Sequence, residues 1–505
     1  MAESISIRVS ARFGCREAEQ VADVFSGWAA DNHHAVVVRS GSMGYYDLEP
    51  FVIIEKPDAP TVCYAGVMAD EAKRLAESLL SGDTIPELAF GTFSGESCLS
   101  EIPLFNIQRR VATRRCGFTD PWSIDSCIAE FGGYRGFIKA LQIAPDEVLE
   151  RVKLPDLTES PGSDKPVYPI WKAFSEKKDT EKTIICKAID NDIDAHTAIL
   201  LLEGDPHGVL EGLLIAAYAL GASRAILAVP AGTGCIYPIL QNALSNMNDR
   251  GLNGNIPESA VHINISIREV PCSPVLSVDS ALLRCLEGLD AVPALPEKDG
   301  YRLDGAPALI MNVETIANLA PSLLDENELP SGIKGFHNTG TKILTLAGDV
   351  SHAYSVEVPV GAKIGDIIMS IGCAADVRAF QFGGPTSVFF GSGEMEKSVS
   401  NETAGQAGAE FGLSLLNVVS GSSSIMEKLE ELTQFLHGVS CGKCVFCREG
   451  LLHLNQLLRD YNMGRSVDGD IELAEKIGRL MRSNCICDIG ATAANPVLSG
   501  LGIRD

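Results

Sequence analysis

The chain is short of positive charge. Across its 505 residues, 41 Lys and Arg stand against 66 Asp and Glu, a formal net charge of −25 with a pI near 4.8. Binding nucleic acid requires a basic surface that displaces phosphate counterions, so that class of partner is excluded. Long apolar runs are missing too. The most apolar stretch, Val209 to Ala222, is interrupted by Glu211 and falls short of the ~20 residues a bilayer span needs. It reads as a buried helix, and no membrane span is expected. The opening MAESISIRVSARFG has no basic segment followed by an apolar one, so no secretory leader is expected and the cytoplasm is the expected location. Nothing resembles a Ser-His-Asp set or a paired-carboxylate site. The nine histidines, His33 and His34 among them, show no metal-ligand spacing. No catalytic residue is assigned.

Cysteine, in contrast, is plentiful: 15 residues in a chain whose expected compartment disfavours structural disulfides. Ten are scattered singly, at Cys15, Cys63, Cys98, Cys116, Cys127, Cys186, Cys235, Cys272, Cys285 and Cys373, and read as small buried hydrophobes. The other five crowd the last 65 residues: Cys441, Cys444, Cys447, Cys485 and Cys487. The first three are spaced C-x2-C-x2-C, and Cys487 follows after 39 intervening residues. Such a run wraps three corners of a cubane, and a distant fourth thiolate closes it, which is [4Fe–4S] ligation. Zinc favours paired C-x2-C units, so a structural zinc site on four cysteines is the alternative. On spacing alone, either Cys485 or Cys487 can be the fourth ligand. Lys443 and Arg448 bring positive charge close to the thiolates, and Gly442 and Gly450 are expected to permit tight backbone turns.

A length of 505 residues implies several domains, at ~150 residues each. Ala35–Arg39 and Phe51–Glu55 are β-branched runs, and Ala69–Leu80 carries Ala72, Leu75, Leu79 and Leu80 on one helical face. From Lys182 to Ala320 strands and helices alternate: Thr183–Ala188, Pro206–Leu220, Ala225–Val229, Ile236–Met247 and Val261–Val270. That alternation predicts a mainly parallel sheet. Lys342–Ala347, Tyr354–Val358 and Ser387–Phe390 predict short strands, with a helix at 364–372. From Ala404 onward the pattern reads as helical, with Gly438 a C-cap and Asp470 an N-cap. GTGCIYP at 232–238 and FGGPTS at 382–387 read as strand–helix connections, not phosphate loops.

SCGKCVFCREG followed by CDIGATAANPVLSGL resembles the C-terminal signature of the NADH- and FMN-binding subunit of respiratory complex I. The same subunit type serves bifurcating hydrogenases and NAD-dependent formate dehydrogenases. GGYRGFIKALQIAPDEVLERVK at 132–153, EGDPHGVLEGLLIAAYALGASRA at 203–225 and MNVETIANLA at 311–320 are similar to it as well. The likeness runs over about residues 105–505, with a thioredoxin-like ferredoxin domain resembled by residues 1–95. It implies Cys487 as the fourth ligand beside Cys441, Cys444 and Cys447.

The cofactor motifs of that family are altered here. Its flavin loop, of the form GRGGAGFPTGxKW, corresponds to LTESPGSDKPVYPIWKAF at 157–174, which keeps Trp171 but only Gly162 of the glycines. Its NADESEPG becomes KAIDNDID at 187–194, with Lys187 for the leading Asn and Asp194 for the final Gly. Its nucleotide run becomes VPCSPVLSVDSALLRCLEG at 270–288, with Pro274 at the aromatic position and Asp279 alone in place of the paired acids; NNVET keeps Asn312 but has Met311. Bulky side chains, and the charges of Asp192 and Asp194, stand where a flavin and its phosphate would lie. Neither FMN nor NAD is expected. In the N-terminal domain Cys15 is alone, and Ser42 and Tyr46 stand where a second cysteine pair would be, so no [2Fe–2S] cluster is expected there.

The reading is a multidomain α/β chain. Residues 1–96 form a thioredoxin-like ferredoxin domain without its cluster, and 97–335 a Rossmann-like flavin/NADH domain, degraded. Residues 336–400 form a soluble-ligand-binding β-grasp module, and 401–505 a helical [4Fe–4S] domain. The expected function is an electron-relay subunit without substrate chemistry of its own. Its partners would be other iron–sulfur subunits and a catalytic hydrogenase, formate dehydrogenase or reductase. The alternative is an active FMN-dependent NAD(P)H:acceptor oxidoreductase subunit with a flavin pocket built from Trp171, Asp279, Asn312 and Glu314.

Overall fold

In the computed structural model of the chain, the residues described are 5–32, 35–57, 59–81, 85, 87–93, 106–153, 157–158, 166–179, 181–190, 195–295, 299–325, 327–329, 340–372, 376–408 and 414–503. Three sheets organise them. The first holds β1 (Ile5–Ser10), β2 (Ala35–Ser40), β3 (Phe51–Glu55), β4 (Thr61–Tyr64) and β5 (Ala89–Phe93) in the order β2-β1-β3-β4-β5. β1 and β2 run parallel, joined by the helix Arg16–Asp31, and the other neighbours are antiparallel. Alternation along β3 explains its continuous apolar run. Val52 and Ile54 face the helices with Ile7, Phe25 and Leu75, whereas Phe51 and Ile53 face the third sheet with Phe380 and Tyr354.

The second sheet holds β6 (Thr183–Lys187), β7 (Arg224–Pro230), β8 (Gly254–Asn255), β9 (His262–Val270), β10 (Arg302–Leu303) and β11 (Ala306–Asn312). Its order is β10-β11-β6-β7-β9-β8, and the four long strands are parallel, as the alternating pattern predicts. The helix Pro206–Leu220 is buried almost all round, which matches its apolar sequence. Glu211 is buried within it; its carboxylate accepts the Gly136 and Phe137 amides and faces Arg115 at 3.8 Å, which offsets part of the desolvation that pushes its carboxyl up. Arg115 itself pairs with buried Asp205 at 2.7 Å.

The third sheet holds β12 (Thr341–Gly348), β13 (Tyr354–Pro359), β14 (Val377–Phe382), β15 (Phe389–Gly391) and β16 (Leu415–Ser420), ordered β13-β12-β16-β14-β15. Here the helical reading from Ala404 onward is corrected. Residues 415–420, LLNVVS, lie between β12 and β14, where a β-branched run with both edges paired is more stable as a strand. The predicted helix at 364–372 is a short α-helix, Ile364–Ile367, that continues as one π turn. Helices then follow at Ile425–Val439, Val445–Asn462, Asp470–Asn484, Asp488–Thr492 and Asn495–Gly500. The first runs through Gly438 to a cap at Ser440, and Gly469 rather than Asp470 occupies the N-cap of the third. Ala379, Phe389 and Val419 of the third sheet share one core with Leu429, Leu451 and Val497 of the bundle. Of the scattered cysteines, Cys63, Cys116, Cys127 and Cys186 are buried; against the buried reading, Cys15, Cys235 and Cys285 are half-buried and Cys272, in the turn after β9, is exposed; Cys98 and Cys373 lie outside the described residues. No helix among the described residues is long and apolar enough to cross a membrane.

A seam joins the first sheet to the second. Glu203, near the end of the helix Thr197–Gly204, accepts the Phe13 amide, and burial pushes its carboxyl up from 4.5 to about 7. Over that window the folded chain holds a proton that the unfolded chain has released, so this group's contribution to stability falls as pH rises from 4.5 through 7. Glu203→Gln keeps the acceptor and removes the titration. We expect it to raise Tm at pH 8, on the order of 2 kcal/mol of stability. At pH 4, where the group is protonated in the folded chain and mostly so in the unfolded one, it should leave Tm nearly unchanged; thermal unfolding at both pH values measures this.

Candidate metal centre

The cysteine loop lies between two helices of the bundle. Residues 440–444 link the helix Ile425–Val439 to Val445–Asn462, and Gly442 takes a left-handed φ of 71° that reverses the chain between Cys441 and Cys444. Cys444 is the N-cap of the second helix and Cys447 lies in its first turn, buried. Cys485 and Cys487 arrive on the short link between Asp470–Asn484 and Asp488–Thr492. Gly450 has a different role from the expected turn: inside its helix it lets Met481 approach, and a Cβ there would lie 2.6 Å from the Met481 sulfur. Gly490 does the same at the thiols, since its Cβ would stand 2.9 Å from Cys485 Cβ and 3.3 Å from Cys447 Cβ.

The five thiols are thereby brought into one neighbourhood, and hydrogen bonds reach three of the proposed ligand sulfurs. The Ser440 hydroxyl lies 3.5 Å from Cys447 Sγ, and the Ile486 amide donates to Cys444 Sγ at 3.4 Å. The Gly490 amide serves Cys487, and Cys485 is hydrogen-bonded to Cys447. The bonds from Cys485 and Ser440 pull the Cys447 thiol down to about 6 against its burial. The bond to Cys447 and burial push Cys485 up. Burial first, then the charges of Cys441, Cys447 and Cys444, push Cys487 up to about 11. Four such sulfurs ionise together only when positive charge stands among them. Lys443 and Arg448 lie close by; Lys443 donates to the Pro293 carbonyl, and Arg448 donates to the Gly442 carbonyl and pairs with Glu449. Among the described residues, no three His, Cys, Asp or Glu side chains close on the position of a single metal ion. The donor set, thiolates with amide and hydroxyl donors behind them, fits an iron–sulfur cluster.

The C-terminal ends of the parallel strands, where open α/β sheets bind ligands, carry several polar contacts among the described residues. Lys187, ending β6, bonds the Ser277 carbonyl at 2.6 Å and Asp279 Oδ1 at 2.7 Å. Asn312 caps the helix Val313–Ala317 by accepting the Glu314 amide. Glu314 is buried, its carboxylate accepts the Ile343 amide, and burial holds it well above the usual carboxylate range. Trp171 is packed in the core beside Phe174, and Met311 is buried within β11. Gly162, Asp192 and Asp194 lie outside the described residues. In the N-terminal part, Ser42 bonds Glu49, and Tyr46 stacks beneath Arg12 and donates to Ser355. Cys15 lies 3.5 Å from a Glu17 oxygen, and burial raises its thiol. Sequence reasoning misses the backbone donors of residues 486 and 490, which no residue type signals, and the Lys187 bridge, whose partners are 90 and 92 positions away.

Two family models match the chain: the NADH-ubiquinone oxidoreductase-F iron–sulfur binding region over residues 427–502, and the Nuo51 FMN-binding domain over residues 161–321. The NADP-reducing hydrogenase subunit HndC of Solidesulfovibrio fructosivorans is 30% identical over 78% of this chain and 81% of its own. The F 2 subunit of the NADH-quinone oxidoreductase of Rhizobium meliloti is 28% identical over 72% and 88%. The crystal structure of an NAD+-reducing [NiFe]-hydrogenase in the H2-reduced state shares the fold with a TM-score of 0.64 at 19% identity, covering 99% of this chain and 82% of that one. The packing around Gly490 leaves no room for a methyl group. We expect Gly490→Ala to lower stability by about 1–3 kcal/mol, read as a shifted urea midpoint at constant slope.

Proposed function

The chain belongs to the family of NADH- and FMN-binding subunits of NADH-quinone oxidoreductases and hydrogenases, and we propose that it serves as an electron-relay subunit without a flavin. Cys441, Cys444, Cys447 and Cys487 hold one [4Fe–4S] cluster, which supplies one-electron storage when bound. The remaining work belongs to the chain. Ser440 and the amides of residues 486 and 490 offset thiolate charge, and Leu451, Met481 and Ala493 keep water from the inner side. The observation that carries the reading is the contrast between two places. At the thiols, donors suited to a cluster reach three of the four sulfurs in the family's pattern, whereas at the end of β6 Lys187 is tied to Asp279 where the resemblance places a flavin contact.

The partners are other iron–sulfur and catalytic subunits of a redox complex in the cytoplasm. Val445, Phe446 and Ile486 flank the ligand cysteines and are exposed, so they form the face an electron partner covers. The first sheet with its two helices acts as a thioredoxin-like docking domain without a [2Fe–2S] cluster. The third sheet acts as a β-grasp module. A second reading, a working FMN-dependent NAD(P)H oxidoreductase subunit, draws support from the match to the Nuo51 FMN-binding domain. A structural zinc site on the same cysteines is the third reading, disfavoured by the C-x2-C-x2-C spacing, since zinc favours paired C-x2-C units.

Metal, sulfide and flavin analysis of the anaerobically purified protein separates these readings. We expect about four iron and four sulfide per chain, as one cubane requires, with no flavin. FMN in near-unit amount that bleaches with NADH establishes the second reading, and zinc in place of iron the third. Phe446→Glu should leave the iron count intact and slow turnover of the whole complex by about tenfold, the loss of one anchor residue.

A further inference from the structure

Exposed apolar side chains are concentrated around the thiols. Among the described residues, nine of the 17 large ones fall between Val445 and Ile486, a stretch of 42 residues. Such a concentration marks a contact surface, because single exposed apolar residues are scattered elsewhere. Phe446 stands one helical turn ahead of Gly450, whose face meets Met481 and Ile477 of the helix Asp470–Asn484. Phe446 therefore lies toward that helix, where Leu480 is exposed. Ile486 is exposed as well, and its amide donates to Cys444 Sγ, next to Val445. The face has a second wall in the parallel-sheet part of the chain. Lys443 donates to the Pro293 carbonyl at 3.2 Å, and Cys441 and Ala291 pack against the same apolar cluster around Val275. Those contacts tie the cysteine loop to the segment that carries Leu295, which is 74% exposed.

The charge here is unlike that of the rest of the chain. Residues 440–486 hold seven Lys and Arg against six Asp and Glu, so the acid that gives a net charge of −25 lies elsewhere. Arg448 is paired with Glu449 and Arg479 with Glu475. Lys443 and Arg482 are exposed and enter no ion pair among the described residues, and Asp488 is the exposed acid next to Cys487. We propose that this face docks an acidic iron–sulfur electron carrier, which seats on Val445, Phe446, Leu480, Ile486 and Leu295 and is oriented by Lys443 and Arg482. The inference rests on the cluster reading above and names the partner of that face. An acidic protein is repelled by most of a chain of net charge −25 and meets free cations only where the thiols are, so repulsion elsewhere supplies the orientation. A basic carrier would be attracted over the whole surface and oriented nowhere. On docking, one electron leaves the carrier's reduced cluster, which is oxidised, and enters the cluster held by this chain, which is reduced. No bond forms or breaks, and no proton moves.

The test is rapid-freeze EPR of the anaerobic full-length protein mixed with a reduced acidic ferredoxin or, separately, with the methyl viologen radical cation. Iron content and circular dichroism verify that each variant is loaded and folded. The ferredoxin rate should fall at least about threefold as salt rises from about 20 to about 300 mM. Relative to the methyl viologen rate of the same variant, Arg482→Glu should slow it by about three- to tenfold and Leu295→Asp by about tenfold. Met369→Asp, at an exposed apolar residue far along the chain from this face, should keep the wild-type ratio. A ferredoxin rate indifferent to salt, as a permanently bound apolar subunit would leave it, overturns the inference. So does a wild-type ratio in Arg482→Glu or Leu295→Asp, an equal slowing by Met369→Asp, or a cluster that methyl viologen reduces and ferredoxin does not. A wild-type protein without an iron–sulfur EPR signal in its reduced or oxidised form overturns the cluster reading itself, and the inference with it.

Discussion

Confinement of several sulfur anions in a small space is the constraint around which the C-terminal half is arranged. Each thiolate raises the cost of the next, and burial adds to that cost, as the upward shift of Cys487 shows. The fold answers with neutral donors rather than with ammonium or guanidinium groups. A hydroxyl and backbone amides reach the sulfurs, while Lys443 bonds the Pro293 carbonyl and Arg448 the Gly442 carbonyl and the Glu449 carboxylate. Neutral dipoles fixed by the backbone stabilise charge without the desolvation cost of a second buried ion. They leave the balance of charge to whatever occupies the space between the thiolates.

The parallel sheet obeys the opposite logic. A doubly wound sheet leaves a crevice at the carboxyl ends of its strands. Here, among the described residues, Lys187 is tied to Asp279 and Asn312 accepts the Glu314 amide. Both are partly buried. The Lys187 side chain of that ion pair is only 14% exposed. The scaffold has kept its sheet order and its buried Pro206–Leu220 helix. Those depend on apolar periodicity, which tolerates change in the loops.

Much of this is legible in the sequence where local chemistry decides. The helix Pro206–Leu220 can be read to the residue, because proline and glycine punctuate it. β3 and β6 follow from β-branched runs with punctuation at their ends. The strand β16 is not legible, because its six residues sit between helical segments and only its two partners in the third sheet make it a strand. Cysteine spacing points to the metal centre, but spacing cannot rank Cys485 against Cys487. Gly490, whose close packing confines the Cys485 side chain, is also a residue with no side chain to notice. Gly450 misleads for a similar reason: a glycine in sequence suggests a turn, whereas in its helix it makes room for Met481.

The placement of β16 has a consequence for modularity. Since Leu415–Ser420 is an interior strand of the third sheet and Val419 belongs to the core of the bundle, sheet and bundle are one cooperative body. A transplant of the thiol-bearing helices into a homologous scaffold, cut at the apparent junction near residue 400, would leave the donor without its central strand and the acceptor with an open edge. A graft that respects the hydrogen-bond ladder has to begin ahead of Thr341, carrying all five strands with the helices they support.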